Sequence, residues 1–157
     1  MLGTRRFTLK VPPDARYAGY VRSQIVALAR EIDASPAAIA DFANAIGEAL
    51  ANAIEHSRTV DAIEIRCSAN RKHLQAIVTD HGCGFDEARV GAGTLPNALS
   101  ERGRGLAIME RCCDVFEIES VPGRGTKVVL GVALGEPVAS NRSRFTALRH
   151  AVRMAVF

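Results

Sequence analysis

Glu48-Ala49-Leu50-Ala51-Asn52-Ala53-Ile54-Glu55-His56 decides how this chain is read. The run lies in a long apolar-periodic segment, and the spacing predicts a helix from Pro36 to about Ser57. Glu48, Asn52 and His56 recur every four residues, so one helical face carries all three. A carboxylate, an amide and an imidazole on a helix otherwise rich in alanine, leucine and isoleucine need a reason. A carboxylate can take a proton, and an amide oxygen can ligate a hard cation such as Mg2+. Together they suggest a site where a metal-bound polyphosphate is attacked. Taken alone, the same stretch also fits an amphipathic helix whose polar face meets water.

Upstream, residues 5–11 alternate and predict a strand, stopped by Pro12-Pro13. Asp14 is the expected N-cap of a helix to about Ile32, with Val21, Ile25, Leu28 and Ile32 as its buried stripe. Ser35 and Pro36 suit the N-cap and first residue of the helix that carries Glu48. Downstream, residues 60–68 and 72–80 predict a hairpin around Ala69-Asn70-Arg71. Residues 81–102 hold glycines and no clear period, which predicts a functional loop. A helix is expected from about Gly105 to Cys113, then strands at 115–120 and 126–132 joined by Pro122-Gly123-Arg124-Gly125. This order predicts an α+β fold, a two-layer α/β sandwich. Its sheet is expected to be mixed but mostly antiparallel, with the helices on one face.

A chain of 157 residues suits one domain with a substantial core. The absence of tryptophan argues against an aromatic nucleic-acid stacking surface, and a net charge of +3 implies no particular partner. No direct nucleic-acid contact is therefore expected. Cys67, Cys83, Cys112 and Cys113 show no Cys-x-x-Cys spacing, so reduced thiols in a cytoplasmic protein are expected rather than a zinc site. There is no signal-peptide pattern, and no apolar run approaches the ~20 residues that span a membrane. Residues 1–136 are read as the main domain and 137–157 as a separate extension. In the extension Arg142, Arg149 and Arg153 fall on one helical face, with Phe145, Leu148, Val152 and Val156 on the other. Such a basic amphipathic segment either packs on its own domain or offers a surface to a partner or membrane.

Three glycine-bearing clusters follow the helix. Asp80-x-Gly82-x-Gly84 lies where a strand ends, and a carboxylate there can accept a hydrogen bond from an exocyclic amine such as that of adenine. An ordinary Asp turn is the other reading. Gly103-Arg104-Gly105-Leu106 is expected to open a helix, whose free N–H groups would favour phosphate, with Arg104 adding charge. A glycine pair before a helix is also common punctuation. The Gly-Lys-Ser/Thr ending of a P-loop is missing. Gly125-Thr126 sits at a hairpin, and the Thr126 hydroxyl can reach a base.

The ordered series Glu48-x-x-x-Asn52, Asp80-x-Gly82-x-Gly84, Gly103-x-Gly105-Leu106 and Gly125-Thr126 resembles the Bergerat-fold ATP-binding superfamily of gyrase, MutL and sensor histidine kinases. Within it, Glu-Ala-Leu-Ala-Asn-Ala-Ile-Glu-His-Ser and Asp-His-Gly-Cys-Gly-Phe-Asp look like the bacterial anti-sigma-factor serine/threonine kinases. The resemblance implies ATP and Mg2+ as ligands. Asn52 would ligate the metal and Glu48 would be the catalytic base. Asp80 would bind the adenine amine with Thr126 in support, and Gly82 and Gly84 would shape the pocket. Gly103, Arg104, Gly105 and Leu106 would form the phosphate box, with residues 87–102 as a lid. It further implies a homodimer that binds a sigma factor and phosphorylates an anti-sigma antagonist on serine or threonine. His56 is read as a structural residue at a helix C-terminus. Two other readings stay open: a nucleotide-gated, non-catalytic binding module, and a detached ATP domain serving a histidine kinase in trans.

Overall fold

Pairing of apolar strand faces with apolar helix stripes sets the layers of this molecule. The computed structural model describes residues 3–85 and 100–135. Its elements are β1 (Arg5–Val11), a 3-10 turn (Ala15–Tyr17), α1 (Ala18–Glu31), α2 (Pro36–His56), β2 (Ile63–Asn70), β3 (His73–Asp80), α3 (Ser100–Cys112), β4 (Val115–Val121) and β5 (Gly125–Ala133). The extension at 137–157 and most of the expected lid lie outside the described residues.

Ser35 starts α2 as expected: its hydroxyl accepts from Ala38 N at 3.2 Å, and Pro36 follows. The helix buries Phe42, Ala43, Ala45, Ile46, Ala49, Leu50 and Ala53. Four alanines in that set leave room for close approach, and α2 touches α1, α3, β3 and β5. Asp14 caps the 3-10 turn rather than α1 itself, accepting from Arg16 N at 2.9 Å. The predicted stripe of Val21, Ile25, Leu28 and Ile32 is buried in full.

The sheet runs β1-β2-β3-β5-β4. Every ladder among the described strands is antiparallel, one step beyond the mostly antiparallel sheet expected. Partners opposite one another share a face, so Leu9 with Ile65, Cys67 with Ala76, and Ala76 with Leu130 form one continuous apolar layer. That layer meets the helices. Glu64, Arg66, Gln75, Thr79 and Lys127 alternate onto the opposite face. Because β4 and β5 form a hairpin with β5 inserted beside β3, Asp80 pairs with Thr126 at one end of the sheet. The C-terminus of α2 reaches the same end, where Ser57 O accepts from Cys83 N at 2.8 Å.

Candidate functional site

Glu48 and Asn52 lie half-buried on the side of α2 that meets α3. Gly105 is what lets the two helices close there. A β-carbon at Gly105 would fall 2.9 Å from Glu48 Oε2 and 3.8 Å from both side-chain atoms Oδ1 and Nδ2 of Asn52. A carboxylate and an amide thus converge on one stretch of bare backbone. The expected start of α3 near Gly105 is corrected: the helix begins at Ser100. In a helix that begins at Ser100 the first intrahelical bond is donated by Gly103 N, so the amides of Gly103 and Gly105 both lie inside the helix and the expected free N–H groups at Gly103-Arg104-Gly105 are corrected with its start. Glycine costs a helix about 1 kcal/mol relative to alanine but does not forbid it. Burial of Met109 and packing of Leu106 on the core offset that cost. Arg104 is exposed on the same helix.

The other end of the site is built on Asp80, which is only 7 % exposed. Its Oδ1 accepts from Gly82 N at 2.9 Å. Burial pushes its carboxyl above the ordinary value, while the N–H groups of Gly82 and Thr126 pull it back. Ser120 joins this end together. Its hydroxyl accepts from Phe85 N at 2.9 Å, donates to Gly125 O at 3.3 Å, and lies 2.9 Å from Thr126 Oγ1. A single hydroxyl proton directed at Gly125 leaves Thr126 as the donor of that last bond. Gly125 has φ 101, and a side chain there would put a β-carbon 2.1 Å from Asp80 O, so only glycine serves. Cys83 ties the loop to both neighbours: its O accepts from Gly123 N at 2.7 Å, and its Sγ donates to His56 O at 3.3 Å. His56 ends α2 with Nε2 3.7 Å from Glu55 Oε2.

The structure therefore gathers Glu48, Asn52 and Gly105 in one cluster, and Asp80, Gly82, Gly125 and Thr126 in another. Gly84 closes the second cluster, beneath the backbone of Val121. Ser120 was not anticipated from sequence, because its partners are up to 35 residues away. Comparison with known proteins decides what kind of domain this is. Residues 11–132 match the histidine kinase-like ATPase domain family.

The chain belongs to that family.

It is similar to a protein named anti-sigma F factor from Clostridium perfringens, 29 % identical over 118 residues, which covers 71 % of this chain and 84 % of that one. Another anti-sigma F factor, from Caldanaerobacter subterraneus, is 28 % identical over 132 residues, covering 81 % of this chain and 92 % of its own. Among solved structures, the RsbU and RsbW domains of a Mycobacterium tuberculosis protein share the fold, with a TM-score of 0.62 at 24 % identity. That match covers 82 % of this chain but only 31 % of the mycobacterial one.

A histidine kinase-like ATPase domain binds nucleotide, and the two clusters have suitable chemistry for its two ends. A buried carboxylate beside backbone N–H groups suits a base that donates from an amine. A half-buried amide beside a carboxylate suits a cation that arrives with phosphates. Among the described residues no group of three or more His, Cys, Asp or Glu could hold a metal by itself. Cys67 and Cys113 are buried, and burial pushes both thiols up to about 12, so they are inert packing groups.

Proposed function

We propose that this chain is an ATP-dependent serine/threonine protein kinase that holds a sigma factor and phosphorylates that factor's antagonist protein. The observation that carries the proposal is the convergence of Glu48 and Asn52 on Gly105, with Asp80 at the sheet end that the C-terminus of the same helix reaches. The names of the similar anti-sigma F factors support the choice of partners.

In this reading Asp80 accepts the adenine amine, with Thr126 beside it and Gly82 and Gly84 shaping the floor. Gly103, Arg104 and Gly105 line the phosphates, and Leu106 seats α3 on the core. Asn52 holds Mg2+, which when bound neutralises developing phosphate charge. Glu48 sits one helical turn from Asn52 and takes the proton of the substrate hydroxyl. The hydroxyl oxygen bonds to the γ-phosphorus as the bond to the leaving ADP oxygen breaks. Base assistance of this kind contributes about 10²–10⁴-fold. A homodimer in the cytoplasm is part of the same reading, and residues 137–157 are assigned to a separate extension. Among the described residues no helix is long and apolar enough to cross a membrane.

The test is transfer of label from γ-labelled Mg-ATP to antagonist-like proteins of the same genome, beside Glu48→Ala. Acid-stable label on one antagonist, lost in the variant, is the expected result. ATP binding without transfer to any of them would favour a nucleotide-gated binding module instead.

A further inference from the structure

Ser120 lies on β4, at an edge of the sheet, and is buried. It pairs with Thr126 across the β4–β5 ladder, and Thr126 pairs on its other side with Asp80. Adjacent strands thus set Ser120, Thr126 and Asp80 side by side on the sheet face that meets the helices. Asp80 and Thr126 are the two assigned to the base, and Ser120 stands behind Thr126.

A hydroxyl has one proton to give. Ser120 directs its proton to Gly125 O at 3.3 Å, so Thr126 spends its own on Ser120 across the 2.9 Å between their oxygens. Only the lone pairs of Thr126 Oγ1 are then open to a ligand. Asp80, as a carboxylate, likewise only accepts, and the N–H groups of Gly82 and Thr126 hold it in place. From these two side chains a base therefore meets acceptors alone. A 6-amino purine offers such a pair the two N–H groups of its amine. A 6-oxo purine sets lone pairs against lone pairs.

We infer that Ser120 is a positioning residue for base specificity: by accepting the Thr126 hydrogen bond it holds that hydroxyl as an acceptor, and so favours a 6-amino over a 6-oxo purine nucleotide. The inference rests on the proposal that the base of ATP binds at Asp80. Ser120 itself does not touch the base; it acts through Thr126.

The test compares ATP with inosine triphosphate, which carries a 6-oxo group where ATP has the amine. Calorimetry gives both affinities for the full chain as wild type, Ser120→Ala, Thr126→Val and the double variant. The wild type should prefer ATP. In Ser120→Ala the freed Thr126 hydroxyl can turn and donate to the 6-oxo group, so the preference should fall about 3- to 10-fold, the worth of one hydrogen bond. Thr126→Val should lower it as well, and adding Ser120→Ala to that variant should lower it no further, since the two residues act in series. Thermal unfolding checks that each variant folds. Where Ser120→Ala does not, Ser120→Cys takes its place, because a thiol is a weak acceptor and leaves the Thr126 proton equally unheld. A serine that merely braces the turn would weaken both nucleotides alike and keep their ratio, which overturns the inference. So would a wild type that binds both nucleotides equally, or a further fall in the double variant. Failure of the wild type to bind either nucleotide would instead remove the nucleotide reading on which the inference rests.

Discussion

Replacing Gly105 by alanine should make the protein more stable and less active. The residue lies inside α3, where alanine is favoured over glycine by about 0.8–1 kcal/mol. In a domain of this size that is worth a rise of about 2–4 °C in Tm. The new methyl would sit 2.9 Å from Glu48 Oε2, whereas ordinary contact begins at 3.4 Å. The far end of a flexible glutamate therefore moves by about half an ångström, at little cost to the fold. Asn52 at 3.8 Å is already in ordinary contact and stays. Displacement of a reacting group by 1 Å can cost ~10²-fold in rate, so half of that costs about tenfold. Urea and thermal unfolding report the stability, calorimetry the affinity for Mg-ATP, and single-turnover transfer from labelled ATP the rate. The expected pattern is higher Tm, Mg-ATP affinity within about twofold of wild type, and transfer slowed about tenfold. Unchanged transfer in a stabilised variant would refute the placement of Glu48 as the base. A lower Tm would show that the methyl meets something that cannot yield.

Asn52→Ala should retain the fold and lose Mg2+-dependent ATP binding; equal ATP affinity with and without Mg2+ in both proteins would remove Asn52 from the metal. Asp80→Asn should weaken ATP more than GTP, and an equal loss for both would contradict a role at the adenine amine. The same variant carries a pH signature. Burial holds the Asp80 carboxyl above its ordinary 3.8, so its stabilising contribution is complete below 3.8 and is lost as pH rises through the elevated value. The stability of Asp80→Asn relative to wild type should therefore climb across that window and level off above it, as followed by urea unfolding at stepped pH. Phe42, with 0 % exposure, anchors α2 in the core, and Phe42→Ala should cost about 3–5 kcal/mol in denaturant unfolding.

What could be read from sequence was mostly local. The α1 stripe and the Ser35-Pro36 start of α2 follow from periodicity and capping, which neighbouring residues determine. Strand limits are set by partners instead. Residues 60–68 predicted the second strand, yet β2 begins at Ile63, and Val60 is 94 % exposed. The register explains this: Ile63 pairs with Val11, and Pro12 beyond it has no N–H to extend the ladder. The β2–β3 turn also shifted, to Arg71-Lys72, because the Asn70 side chain accepts from Lys72 N at 2.8 Å and His73 N at 3.1 Å. Among the proposed site residues, Glu48 and Asn52 stood out as polar groups on an apolar helix, and Asp80 as a carboxylate at a strand end. Ser120 did not, since a serine near a turn is unremarkable until the chain brings distant backbone to its hydroxyl.

One helix reaches both clusters, and that turns chain length into a matter of phase. Glu48 and Ser57 are separated by nine residues of α2 and its cap, about 13 Å along the axis. Inserting a single residue between Asn52 and Ser57 would lengthen that distance by only about 1.5 Å. It would also swing one end about 100° around the axis relative to the other. Glu48 and Asn52 would then face away from Gly105 while Ser57 still met Gly82. Whole-turn changes would restore the angle but shift the spacing by about 5.4 Å. The helix is in this sense a gauge cut to one length, tolerant of substitution along its outer side and intolerant of any change in count.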